Sequence, residues 1–254
     1  MHVPQPGSAH RQLLSGVAQL ALLLGIASAD SGHHGAGQRY HRCAAQLAAS
    51  AGDSATFATA LRVMATQAYD VGHHNSAVLN LAEQADSHAR HAPPAVRTYT
   101  LAHLAVLQAH HDRRAALASL ARAERFHGRA NGEPGPFTDY PAGALHYQRA
   151  QTLAALGDLT GARAALTLSL RLRTDAERRS TALTRAYLAT THLRIGQLDE
   201  AITQWRAFLA IYPTLHSARA KAHLQTMISQ LQPHRRNPAV RHLLEEASTE
   251  IAEL

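Results

Sequence analysis

Ala182 to Pro213 reads ALTRAYLATTHLRIGQLDEAITQWRAFLAIYP. Gly196 interrupts one helical run, and a second run starts at Gln197. Ala201 follows the glycine by five residues, Trp205 by nine and Pro213 by seventeen. Each choice has a physical reason. Glycine lets the chain turn sharply out of a helix. Ala201 is small enough for two antiparallel helices to approach closely. Trp205 fills the space one turn further on. Pro213 cannot continue the helix and ends it.

The same register recurs through the chain. Gly157 is followed by Asp158, Ala162 and Leu166, and Gly72 by Ala77 and Leu81. His111 stands where a glycine is expected and precedes Asp112, Ala116, Leu120 and Ala123. Gly32 is followed by Gly37 and Ala44, with Gly25 as a small contact in the preceding helix. Turns therefore fall at 32, 72, 111, 157 and 196, with spacings of 40, 39, 46 and 39 residues. A fixed period of this length marks a two-helix repeat. The long interval contains Asn131-Gly132-Glu133-Pro134-Gly135-Pro136, which reads as a loop.

The spacing predicts first helices near 11–30, 54–71, 94–110, 141–156 and 175–195, and partners near 35–50, 74–90, 112–127, 159–172 and 198–211. Asp53-Ser54, Asp112, Asp158 and Thr174-Asp175 sit at expected helix caps, and Pro94 and Pro141 in first turns. The repeats span 11–50, 54–91, 94–128, 141–173 and 175–213 of a single domain covering 1–254. Helices near 215–231 and 238–253 close the array. In the last, Leu243, Leu244, Ala247, Ile251 and Leu254 form one apolar stripe, with Glu245, Glu246 and Glu250 elsewhere. One dry and one wet face is what a terminal helix of a repeat stack needs.

This pattern resembles the tetratricopeptide repeat (TPR) family, with Gly196, Ala201, Trp205 and Pro213 as its most specific quartet. The departures are His111 for glycine, Gln84 and Phe208 at positions usually small, and an expected terminal proline in the fifth repeat alone. The resemblance implies an all-α, right-handed superhelical solenoid of antiparallel helix pairs. A closer likeness is to the repeat region of actinomycete transcriptional regulators, carried by Ala144–Asp158 (ALHYQRAQTLAALGD), Ala176–Ala189 (AERRSTALTRAYLA) and Leu231–Ala247 (LQPHRRNPAVRHLLEEA). In those proteins a helix-turn-helix domain often precedes the repeats. Here the repeats begin by about residue 11, which leaves no room for one.

Composition agrees with helices. Nearly half of the 254 residues are apolar and about a fifth are alanine, the best helix former. The net charge of +7 points toward nucleic acid only superficially. Lys221 is the only lysine, so the positive charge is arginine, scattered apart from Arg113-Arg114, Arg178-Arg179 and Arg235-Arg236. Arginine-for-lysine bias with abundant alanine is the mark of a GC-rich genome, and a dedicated basic arm is longer. Cys43 is the only cysteine, which rules out an internal disulfide and fits a reducing cytoplasm. Leu13 to Ile26 is apolar, and Ala27-Ser28-Ala29 resembles a leader-cleavage site. Ser15, Gly16 and Gln19 break the stretch, so it is read as a buried first helix and not a membrane span.

No catalytic signature is present. There is no Gly-x-Ser-x-Gly elbow and no His-Glu-x-x-His. Lys221 has no glycine near it to form a phosphate loop, and Gly32-His-His-Gly-Ala-Gly37 follows a helix, not a strand. The chain is therefore expected to be no enzyme, with no cofactor and no metal. His33-His34, His73-His74 and His110-His111 all fall at the turns within repeats. Packed helices lie roughly 8–10 Å apart, and zinc needs each nitrogen at about 2 Å, so pairs in neighbouring repeats are expected to stay apart as solvated turns. Cys43 lies two residues from His41 and is expected to be a small core residue; Trp205 is expected in the core.

In this architecture the first helices line the concave wall. The register projects Gln19, Arg62, Thr66, Tyr69, Asp70, Thr98, Gln108, Tyr147, Gln151, Thr190 and Arg194 onto it. Tyrosines, arginines and hydrogen-bonding groups together suit a peptide or a polar protein surface, with Tyr69 and Tyr147 as anchors and Arg62 and Arg194 pairing with carboxylates. The sequence points to a cytoplasmic protein- or peptide-binding module in transcriptional or developmental regulation, off the membrane, with no sequence-specific DNA binding of its own. Dimerisation, with a second copy or a longer regulator, is compatible with this. The alternatives are a sensor of small molecules or signal peptides and, more weakly, a secreted scaffold.

Overall fold

The computed structural model describes residues 7–129 and 139–252; the expected loop at 131–136 and the side chains of Ile251 and Leu254 lie outside the described residues. The described chain is all helix, without a strand. It forms α1 (Ser8–Asp30), α2 (His34–Ala51), α3 (Ser54–Asp70), α4 (Ser76–His88), α5 (Pro94–Gln108) and α6 (Arg113–His127), then α7 (Ala142–Ala155), α8 (Leu159–Arg171), α9 (Arg178–Arg194), α10 (Leu198–Leu209), α11 (Ala218–Leu231) and α12 (Pro238–Ala252). Two compact units result, Met1–Pro141 and Ala142–Leu254.

In each unit consecutive helices pair across a turn, and second helices also pack on the first helix of the following pair at three places: α2 on α3, α4 on α5 and α8 on α9. First helices touch one another as well, α1 with α3, α3 with α5, and α9 with α11. Gly32, Gly72, Gly157 and Gly196 take φ of 86°, 91°, 84° and 78° at the turns. Only glycine enters this left-handed region cheaply, which explains the recurring residue. Asp53, Asp112 and Asp158 accept hydrogen bonds from the first backbone amides of α3, α6 and α8, as helix caps do. The cap of α9 differs from expectation: the helix starts after Glu177, whose carboxylate turns back to the Thr174 amide at 3.0 Å.

The closest crossing joins α1 to α2. A Cβ on Gly25 would lie 2.3 Å from the His41 ring, and one on Gly37 would lie 3.0 Å from the Gly25 carbonyl. His41 is fully buried, and its Nδ1 lies 3.3 Å from Gln67 Oε1 on α3. Ser15 of α1 donates a hydrogen bond to the Asp53 carboxylate, so the cap of α3 also holds α1. Burial alone would raise the Asp53 carboxyl, but the bonds from Ser15, Thr56 and Ala55 outweigh it and hold it below its usual range. In the second unit Trp205 and Phe208 are fully buried in one core with Leu224, Met227, Leu231, Leu243 and Ala247, and Ala201 is fully buried as well.

Three expectations change. The second pair has a longer turn: α4 begins at Ser76, capped by Asn75. The register therefore slips by one residue. Ala77 is exposed, while Val78, Ala82 and Ala85 are buried. Ala85, not Gln84, takes the small position, so the departure expected at Gln84 disappears. Cys43 is exposed, because α2 packs through Gly37, His41, Ala44, Ala45 and Ala48. Finally, α1 is not a buried helix. Among the described residues it alone is long and apolar enough to cross a membrane, by length and composition. It buries only Ala18, Ala21, Leu22 and Gly25 and exposes Leu13, Val17, Leu20, Leu23, Leu24 and Ile26.

The crossings predict the cost of enlarging them. Gly25→Ala must displace a buried ring, and Ala201→Leu must part α9 from α10. Each should lower stability by about 1–3 kcal/mol. Urea denaturation measures this, and wild-type stability in both variants would overturn the assigned crossings.

Three histidines make stability depend on acid. Burial pushes His41 below its ordinary value of 6.5, and burial with the Arg219 charge pushes His223 down to about 4. Burial, then the neighbouring His74 and His111, lowers His110. Above pH 6.5 both folded and unfolded chains hold these rings neutral. Below it the unfolded chain binds protons that the folded chain refuses, so stability falls as pH falls. The melting temperature should therefore drop between about pH 6.5 and 4, and His223→Gln should flatten part of that slope. A flat profile across this range would contradict the burial of His41 and the partial burial of His223.

Candidate partner-binding face

In the first unit the projected residues gather on α3 and α5. Arg62 is buried: its guanidinium lies 3.8 Å above the Tyr99 ring and donates to the Tyr99 hydroxyl at 2.9 Å. Tyr99 in turn meets Tyr140 edge-on at 5.5 Å. An arginine clamped in this way braces α3 against α5 and is not poised for a partner's carboxylate. Thr66 is half-buried and its hydroxyl donates to the Arg62 carbonyl at 2.9 Å. Thr98 is a correction. It is fully buried where α5 meets α6, with its hydroxyl 2.9 Å from the Pro94 carbonyl and 3.5 Å from that of Ala123, so it lines no wall. Gln19 and Gln108 are half-buried and Asp70 is exposed at the end of α3.

Tyr69 holds the densest group of rings. It stacks on His74 at 4.4 Å, meets His103 edge-on at 6.0 Å, and its hydroxyl lies 3.3 Å from His110 Nε2. His74 and His110 stack at 4.9 Å with an interplanar angle of 22°. These two come from the turns of neighbouring pairs, so the expectation that such turns stay apart fails at this place. The longer turn before α4 carries His74 toward the next one. Near-parallel stacking does not point two nitrogens at one ion. Among the described residues, no group of three or more histidine, cysteine or carboxylate side chains is arranged to hold a metal.

In the second unit Tyr147 of α7 and Tyr187 of α9 meet at 5.8 Å, both half-buried against the core of Ala150, Leu166 and Leu188. The Gln148 amide donates to Gln151 Oε1 at 3.0 Å, and the Thr190 hydroxyl to Gln230 Oε1 on α11 at 3.1 Å. Arg194 is exposed at the end of α9. Sequence reasoning missed Tyr99, Tyr187, His74, His103 and His110 as members of these groups. Tyr187 lies three residues before Thr190 on the same helix, a spacing that could have found it.

Both anchor tyrosines also pack against core residues, Tyr69 beside Leu104 and Leu107, and Tyr147 beside Leu166. Truncating them would disturb folding as well as binding. Asp70 and Arg194 are the exposed members of the projected set.

No protein-family model matches the chain, and no curated protein is similar to it in sequence. Among solved structures, it is similar to a thermophilic TPR protein of Thermus thermophilus, with 23% identity and a TM-score of 0.52 over 82% of this chain and 99% of that one. The fold is thus TPR-like, an α-solenoid of helix pairs.

Proposed function

We propose that this chain is a protein- or peptide-binding repeat module without enzymatic activity, acting in the cytoplasm in transcriptional or developmental regulation. The observation that carries the reading is the placement of the rings. On the first helices of each unit, half-buried aromatic side chains lie beside hydrogen-bonding groups: Tyr69 with His74 and His110, and Tyr147 and Tyr187 with Gln151 and Thr190. Rigid rings with a polar edge supply contact area at low entropic cost, which is how few residues come to dominate an interface. A partner segment lies along the first helices of a unit, with Asp70 setting its charge preference in the first and Arg194 in the second.

Sequence-specific DNA binding is not part of the proposal. Reading bases needs an element that enters the major groove, and the helices here are occupied with their neighbours. Arg235, Arg236 and Arg241 line an open hollow of about 720 Å³ together with Glu245. Arginines there can hold phosphates only weakly and with steep salt dependence.

Selection from a random peptide library against the full chain tests the reading. Enriched peptides should bind at about micromolar affinity. Asp70→Lys with Arg194→Glu should weaken them at least about tenfold, roughly 1.4 kcal/mol, with the helical circular dichroism spectrum retained. Peptides that bind the double variant as tightly as the wild type would place binding elsewhere.

A further inference from the structure

One side of α1 is apolar and exposed. Leu13 is 66% exposed, Val17 41%, Leu20 61%, Leu23 49% and Leu24 52%. By contrast α12 buries Val240, Leu243 and Ala247 and turns the polar Arg241, His242 and Glu245 outward.

The spacing within the exposed face narrows what covers it. Leu13, Val17, Leu20 and Leu24 follow one another at four, three and four residues. That is the period of 3.5 that keeps a seam turned toward a partner helix. Gly16 and Ala27, both exposed, lie on the same side and let a second backbone come close. The seam is self-complementary. In an antiparallel pair Leu13 meets Leu24 of the second copy, and Val17 meets Leu20, with each contact made twice about a two-fold axis. The apolar side chains present on the order of 500 Å² per chain, as large as the largest patch an ordinary monomer tolerates. Two copies together cover about 1,000 Å², the threshold of a specific interface. A lipid surface fits less well. Helices that lie on membranes carry several Lys or Arg beside the apolar face, and Arg11 is the only one in α1, whose opposite side is fixed to α2 and α3.

We infer that the exposed face of α1, along Leu13, Val17, Leu20 and Leu24, is a homodimer interface in which α1 pairs antiparallel with α1 of a second copy. The inference stands apart from the partner-binding face, because none of its residues belongs to that face. Sedimentation equilibrium of the full chain should give about twice the 27.4 kDa monomer mass. Leu20→Glu should raise the dimer dissociation constant about 100-fold or more, since the leucine is lost from both copies. Its circular dichroism and melting temperature should not change; Leu13→Glu serves if Leu20→Glu does not fold. With Cys43→Ser as background, Leu13→Cys together with Leu24→Cys should oxidise to a covalent dimer. Leu13→Cys alone should not, because two copies of residue 13 would lie about 16 Å apart along the pair, beyond the reach of a disulfide. A monomer at 0.1 mM (about two orders above micromolar association), a dimer untouched by both glutamate variants, or equal cross-linking by Leu13→Cys alone would overturn the inference. So would a monomer that instead partitions onto vesicles of phosphatidylcholine and phosphatidylglycerol.

Discussion

The structure depends on one recurring constraint: two helices must cross with almost no side chain between them. Gly25 and Gly37 do this for α1 and α2, where a methyl group on either would strike its neighbour. Gly143 does it for α7 and α8, with the Ser169 hydroxyl donating to the Gly143 carbonyl at 2.6 Å. Ala201 does it in the last repeat and is fully buried. Once the backbones are that close, one side of a first helix is occupied by its partner, and in α3, α5 and α9 a second side by the helix before it. Only the remaining side can carry polar chemistry. The position of Tyr69, Tyr147 and Tyr187 follows from this geometry before any question of function arises.

That constraint is also why the fold was legible in the sequence. A small residue five positions after a turn glycine is chemically conspicuous, and Gly157 with Ala162 and Gly196 with Ala201 fall where the pattern requires, each alanine fully buried. His111 shows that the turn tolerates another residue, since Ala116 and Leu120 are buried as the register demands. Gly72 is less simple. The glycine is real, with φ of 91°, but Asn75 caps the next helix later than the other pairs would suggest. A shift of one residue rotates a helix by about 100°, which is enough to bring Ala77 out and Val78 in. Turn length is set by cap chemistry, and Asn75 was the signal.

The surface was harder to read, because composition does not say what covers a residue. Leu13 and Leu22 look alike in the sequence. One is 66% exposed and the other fully buried, and only the position of α2 distinguishes them. Thr98 looked like Thr66, yet its hydroxyl reaches the Ala123 carbonyl inside the pair. Arg62 looked like a cation waiting for a carboxylate and is instead held over Tyr99.

The histidines show how such local accidents acquire physical consequences. His74 stacks on His110 beside Tyr69, and burial with the neighbouring histidines lowers the pKa of His110. Protonating one ring puts a charge against its neighbour and against a hydroxyl that it had been accepting from or donating to. A partner that brings a carboxylate to Tyr69 would oppose this, because a nearby negative charge favours the protonated ring. Binding would then take up a proton, and affinity for an acidic segment would rise as the solution is acidified, while the stability of the chain itself declines. The two trends have opposite signs because the carboxylate compensates the charge that burial excludes. A neutral or basic segment at the same rings would show no such rise. The pH dependence of affinity therefore reports the charge of what sits on Tyr69.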